Sequence, residues 1–303
     1  MRVLVTGATG LIGSALADGL LANGEEVVGL TRDPSAARKR NPRVGWHAWS
    51  PATERPPAAA LEGIDAVVNL IGEEINQRLT PASKQRISDS RLRATKNLVD
   101  AIGGMTRKPQ VMVSQSAVGY YGDRGEAVID ESTSPGTGFL AELPAEWEHA
   151  AEAVDQHGVR LVITRTGLIL DPDGGLLKQL LLPFKLGVGG PLAGGDWYMP
   201  WIHRDDEIEL IRWALGDEGV SGVLNASAPN PVTNREFSQT LGRVLRRPAF
   251  APAPKAAIAL LRGGELADAI TESHRVIPRR ALDLGYRFRY PELEPALRQL
   301  LAS

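Results

Sequence analysis

Residues 1–13 read MRVLVTGATGLIG, and residues 14–24 continue SALADGLLANG. Arg2 to Thr6 is a short β-branched run that stops at a glycine cluster; a helical pattern follows, with Gly24 placed to cap its C-terminus. The order is strand, tight turn, helix. Gly7, Gly10 and Gly13 form a GxxGxxG array between the two elements. A dinucleotide pyrophosphate needs a sharp turn, unblocked N–H groups, and a helix N-terminus directing its partial positive charge at the phosphates. Three glycines alone would also suit a plain turn between strand and helix. Strand, spacing and helix together favour the phosphate.

Five further apolar runs follow: Val27 to Thr31, Val44 to Trp49, Ala66 to Ile71, Gln110 to Ser114 and Arg160 to Thr164. Helical stretches separate most of them, which indicates a parallel sheet covered on both faces. The expected fold is α/β, a Rossmann-type doubly wound parallel sheet, with residues 1–170 as the dinucleotide-binding domain. From Asp171 to Gly195 the chain is rich in Gly and Pro, with a helical piece around Leu176 to Leu186. Prolines recur from Val223 onward, among helical patterns at Asn234 to Leu245, at Ala256 to Leu261 and from Pro291. Residues 171–303 are read as a smaller substrate lobe, interleaved with the first domain near 196–225.

Rossmann sites that bind NAD(H) place a carboxylate on the adenosine ribose, at the end of the second strand. Thr31 and Arg32 occupy that place here, with Asp33 one step later. A hydroxyl and a guanidinium suit a 2′-phosphate, so the expected cofactor is NADP(H).

Composition narrows the alternatives. Lys and Arg total 34 against 36 Asp and Glu, so no basic excess draws the chain to nucleic acid. The absence of cysteine excludes disulfides, thiolate nucleophiles and cysteine-ligated metals. No other metal site is expected, since His203 and Asp206 lack an obvious third ligand. No apolar run approaches the roughly 20 residues that span a bilayer. A cytoplasmic protein acting on a small-molecule substrate is expected, away from membranes, with a homodimer as a candidate assembly.

TGATGLIG (residues 6–13), DAVVNLIG (65–72) and SQSAVGYYG (114–122), in this order and spacing, resemble the extended short-chain dehydrogenases, which include sugar-nucleotide epimerases and dehydratases. FLAELPAEWE (139–148), TRTGLIL (164–170), PWIHRDD (200–206) and the tail from about Pro248 resemble the YfcH-like "epimerase family" within that class. The resemblance implies that Gly7, Thr9, Gly10, Leu11, Ile12 and Gly13 hold the pyrophosphate, with Arg32 near the 2′-phosphate. It implies that Leu70, Ile71 and Gly72 line the adenosine side. Ser114, Gln115 and Ser116 would pass beside the nicotinamide, with Ser116 at the family's substrate-carbonyl serine, and Arg165, Gly167 and Leu168 would close over that end.

The chain departs from that pattern at the usual Tyr-Lys pair. The matching positions are Phe139 and Leu143, which offer neither a proton nor a positive charge. Tyr120, Tyr121 and His203 are the candidate proton carriers, each weighed against a packing or loop-holding role. For His203 the competing arrangement has Asp205 and Asp206 capping the next helix. Lys84, Arg91, Arg93 and Lys96 follow the fourth strand, where a cation could replace the missing lysine, against a solvated helix face as the competing reading for most of them. Hydride transfer, reversible as in an epimerase, is the implied reaction; the rival is a non-catalytic NADP(H)-binding sensor or scaffold.

Overall fold

The computed structural model describes residues 1–302. Its strands are β1 (Arg2–Thr6), β2 (Glu26–Thr31), β3 (Gly45–Ala48), β4 (Ala66–Asn69), β5 (Val111–Ala117), β6 (Val128–Ile129) and β7 (Arg160–Thr166). Then come β8 (Leu168–Leu170), β9 (Tyr198–Met199), β10 (Trp201–His203), β11 (Gly222–Ala226), β12 (Val232–Thr233) and β13 (Arg275–Val276). Seven of them build one parallel sheet in the order β11-β7-β5-β4-β1-β2-β3. The chain runs outward from β1 to β3, then returns to place β4 on the other side of β1. That reversal opens a crevice at the carboxyl ends of β1 and β4, where doubly wound sheets bind ligands.

Alternate side chains of the central strands point to opposite faces. Val3 and Val5 enter a core shared with Leu16, Leu20, Leu210 and Ile211, under the Leu11–Ala22 and Arg204–Gly216 helices. Leu4 enters the opposite core with Leu98, Ile102, Ala151 and Val154, under the helices Pro81–Gly104 and Phe139–Glu152. Burial on both faces explains why β4 reads as the apolar run AVV before the buried Asn69. A third core, around Phe184, Trp197, Trp201, Phe237 and Leu297, underlies the later part of the chain.

The seventh strand, β11, was not expected. Residues 222–226 read GVLNA, too short and too polar at Asn225 to stand out, and they pair with β7 over the whole strand. The helix Arg204–Gly216 precedes it and packs on the first helix of the chain. Two small ribbons pin the C-terminal segment down: β6 pairs with β13, and β9 with β12.

Candidate functional site

Gly7 has a φ of +65°, and a Cβ there would lie 2.7 Å from the Leu70 carbonyl oxygen; at Gly13 it would lie 2.3 Å from the Gly7 oxygen. Both positions exclude a side chain because backbone passes too close. Gly10 is the N-cap of the helix Leu11–Ala22, and no side chain caps that helix or carries negative charge in its first turn. The first N–H groups and the positive end of the dipole are thus left for an anion. Neighbouring helices supply their own caps: Thr80 accepts from Ser83 N at 3.2 Å, and Thr233 from Glu236 N at 3.2 Å.

The turn opens onto a cleft of about 430 Å³. Leu11, Leu70 and Gly72 form the end nearest the turn, and Gln115, Ser116, Gly167 and Leu168 lie across the ends of β5 and β7. Leu140, Leu143, Pro144 and Trp147 of the Phe139–Glu152 helix form an apolar wall, and Glu272 and His274 come from the C-terminal segment. At the carboxyl end of β2, Arg32 is exposed and makes no ion pair among the described residues. Asp33 is turned away from that edge and caps the helix Pro34–Arg40, accepting from Ala36 N at 2.9 Å.

The remaining cofactor candidates sit around this frame. Thr9 is exposed on the turn and Thr31 half-buried at the end of β2. Ile12 and Ile71 pack against the two sheet cores. Ser114 is buried below the cleft, accepting from Asn69 Nδ2 at 3.2 Å.

Of Ser116 and the three proton-carrier candidates, Ser116 alone lines the cleft. Its Oγ donates to Glu148 Oε1 at 2.6 Å, and Arg165 grips the same carboxylate through Nε at 2.8 Å and Nη2 at 2.7 Å. Tyr121 is fully buried; its hydroxyl donates to Asn225 Oδ1 at 2.6 Å and accepts from Arg165 Nη1 at 3.0 Å. Burial pushes that phenol up to about 12. Tyr120 is half-buried with the Arg165 guanidinium 3.4 Å from its ring centre. Tyr120 and Tyr121 therefore both contact Arg165.

His203 is elsewhere. It is itself the N-cap of the Arg204–Gly216 helix, Nδ1 accepting from Asp205 N at 3.0 Å and Nε2 bonding Gln299 Oε1 at 2.8 Å. Both nitrogens are occupied in a neutral Nε2–H tautomer, and burial lowers the pKa. The capping role weighed for Asp205 and Asp206 thus falls to His203, while Asp206 accepts from the N–H groups of Arg289 and Tyr290. Stacking on Tyr290 at 3.9 Å completes its enclosure.

The sequence reading missed four groups. Glu148, buried with Arg165, lay inside the quoted stretch at residues 139–148 without a spacing to distinguish it. Asn225 came with the missed strand. Arg91, one of the four cations weighed, sits on the stripe Ile87, Arg91, Thr95, Leu98, Ile102, whose other members are buried, and this sets it apart from the other three. Glu272 and His274 carry no motif; burial and the acidic neighbours Asp123 and Asp268 raise Glu272 to about 7, and burial lowers His274 to about 4. The other cations stay outside: Lys96 and Arg93 pair with Asp100 and Asp89 on the helix surface, and Lys84 pairs with Glu265 at 2.7 Å.

Residues 3–226 match the model of the NAD dependent epimerase/dehydratase family. The chain belongs to that family. Residues 253–300, which supply Glu272 and His274, match a domain of unknown function, DUF1731. Among curated relatives, an Arabidopsis thaliana chloroplastic homolog of the epimerase family protein SDR39U1 is 40% identical over 99% of this chain and 87% of its own. The Homo sapiens SDR39U1 protein is 38% identical, with both chains covered completely. The crystal structure of human SDR39U1 isoform 2 with NADPH superposes with a TM-score of 0.90 at 36% identity, again over both whole chains. A Bacillus cereus UDP-glucuronic acid 4-epimerase shares the fold at a TM-score of 0.79 and 17% identity. The chain is thus a Rossmann-type, nucleotide-cofactor-binding family member, and among the described residues no helix is long and apolar enough to cross a membrane.

Proposed function

We propose that the protein binds NADP(H) along the crevice and acts as an oxidoreductase or epimerase on a small organic molecule held against the Leu140–Trp147 wall. The observation that carries this reading is the uncapped helix end at Gly10, opening into a cleft that runs to Gln115, Ser116, Gly167 and Leu168. NADPH in the similar human protein supports the choice of cofactor, as does the unpaired Arg32 at the end of β2. The glycine turn would hold the pyrophosphate, and Thr31 with Arg32 the 2′-phosphate. When bound, the cofactor supplies or accepts a hydride.

The chain's own groups must then orient the reactant and manage its proton. Ser116 Oγ, its proton committed to Glu148, offers lone pairs to a donor in the cleft. With Phe139 and Leu143 at the positions of the usual pair, the carboxyl and imidazole groups lining the cleft among the described residues are Glu272 and His274. Glu272 holds or releases a proton close to neutrality at its carboxyl, the range in which a general acid or base is most useful.

Calorimetric titration with NADPH and NADH tests the cofactor. A charge-assisted contact is worth roughly 1.5 to 3 kcal/mol, so NADPH is expected to bind about tenfold to a hundredfold more tightly, and Arg32→Ala to remove most of the difference. Equal affinities sink the NADP(H) assignment. A panel of carbonyl compounds, followed by NADPH absorbance, tests turnover; tight binding without oxidation of NADPH by any of them favours a sensor.

A further inference from the structure

Among the described residues Arg91 is the one Lys or Arg on the cleft wall, and it is 9% exposed. A buried guanidinium is costly unless an anion offsets its lost hydration. Among the described residues no carboxylate is hydrogen-bonded or ion-paired to it, and Glu73 attracts it only through space. Nη1 donates to Glu73 O at 3.0 Å, Ile87 O at 3.4 Å and Ser90 Oγ at 3.5 Å, all neutral acceptors. Nε and Nη2 donate to no group among the described residues. Glu73 turns its carboxylate to Arg86 at 3.2 Å and Gln77 at 3.0 Å instead.

The surroundings keep the fork in place. A Cβ on Gly72 would lie 2.8 Å from both Cζ and Nη2, so this glycine leaves room for the guanidinium against the backbone that follows β4. The Trp147 ring stands 5.1 Å from Cζ. Burial lowers the pKa to about 10, still far above neutrality, so the charge persists. What remains is a fixed, charged fork with two unused donor atoms at a cleft wall that is otherwise largely apolar.

We propose that Arg91 forms an anion subsite of the cleft, paired through Nε and Nη2 with a carboxylate or phosphate group of the bound molecule. This rests on the small-molecule reading above and narrows it to an acidic substrate. The glycine turn and the uncapped helix already provide for the cofactor's diphosphate, which favours the substrate as the source of the anion. A planar fork also matches the two oxygens of a carboxylate better than a lysine would.

The test is titration of the full chain with inorganic phosphate and with acetate at constant ionic strength, alone and with saturating NADPH, in wild type, Arg91→Gln, Arg91→Lys and Gly72→Ala. NADPH affinity of the wild type is measured first, so a failed cofactor assignment is seen separately. Arg91→Gln is expected to weaken phosphate or acetate binding about tenfold to a hundredfold, with NADPH affinity changed less than about threefold. Gly72→Ala, which keeps the charge but displaces the fork, is expected to weaken it too, and Arg91→Lys to recover only part. If Arg91→Gln instead weakens NADPH by that factor, and NADPH expels the phosphate, the subsite stands and its anion is the cofactor's diphosphate. If a folded Arg91→Gln protein binds phosphate, acetate and NADPH as the wild type does, or the wild type binds none of the three, the subsite is refuted.

Discussion

Ser116 Oγ donates a 2.6 Å hydrogen bond to Glu148 Oε1, so the hydroxyl at the cleft presents lone pairs, not a proton, to whatever is bound there. Glu148 can accept it because Arg165 neutralises the carboxylate from the other side. The pair is 6% and 4% exposed, and removing one partner of a buried ion pair leaves an uncompensated charge. Glu148→Ala is therefore expected to lower stability by about 3–5 kcal/mol, read by urea unfolding. Replacing both residues by leucine should cost clearly less than the sum of the single changes. Additive losses in that double-mutant cycle would show that the two side chains do not act as a unit.

The glycine turn separates binding from folding. A Cβ at Gly10 meets the Gly7 oxygen at 3.2 Å and nothing else nearby, against 2.3 Å at Gly13. Gly10→Asp should therefore fold, while placing a negative charge on the helix end that the phosphates need. NADPH affinity is expected to fall at least tenfold with the melting temperature changed by only a few degrees, because like charge at that end is worth a kcal/mol or more. Gly13→Ala should instead lower the melting temperature, since backbone must move. Unchanged NADPH binding by Gly10→Asp would remove the turn from the cofactor site.

The parts of the fold written in local pattern were legible in the sequence. β1, the glycine turn and the first helix follow from periodicity, caps and spacing within 24 residues, and the helix Asn234–Leu245 carries its own capping box. The cleft was legible where it is built from strand ends, at Gly72, Gln115 and Ser116. It was opaque where contacts join distant segments. Tyr121 meets Asn225 across 104 positions and His203 meets Gln299 across 96, so the enclosure of these two candidates depends on tertiary packing that no local spacing encodes.

Phe139 and Leu143 invite restoration of the usual pair, and Phe139→Tyr alone should do little. Leu143 is buried in the apolar wall, and the nearest cation to ring 139 is Lys84, 5.0 Å from its centre and already bound to Glu265. Without a free ammonium beside it, the new phenol should titrate near its unperturbed value of about 10. Ultraviolet difference titration of Phe139→Tyr against wild type reads this directly. Ionisation below about pH 8 would mean that Lys84 or another charge does the work of the missing lysine.

Glu207 offers a stability test independent of any ligand. It is fully buried in the first turn of the Arg204–Gly216 helix, beneath Thr166 of the cleft wall, whose Oγ1 donates to Oε1 at 2.9 Å. Oε2 has no partner. Burial raises the pKa to about 8, so the carboxyl keeps its proton at neutral pH in the folded chain and loses it in the unfolded chain. The folded value lies above the unfolded one; the stabilising contribution is therefore complete below about pH 4 and is lost progressively as pH rises toward 8. Each pH unit inside that window costs up to about 1.4 kcal/mol, which bounds the loss at a few kcal/mol. Glu207→Gln keeps the acceptor for Thr166 and cannot ionise. Urea unfolding at several values between pH 5 and pH 8 should show the wild type losing stability relative to Glu207→Gln as pH rises, with the difference levelling off above 8. A difference that stays constant across that range, or grows toward acid, would mean that Glu207 is charged in the folded protein and that an unseen partner holds it.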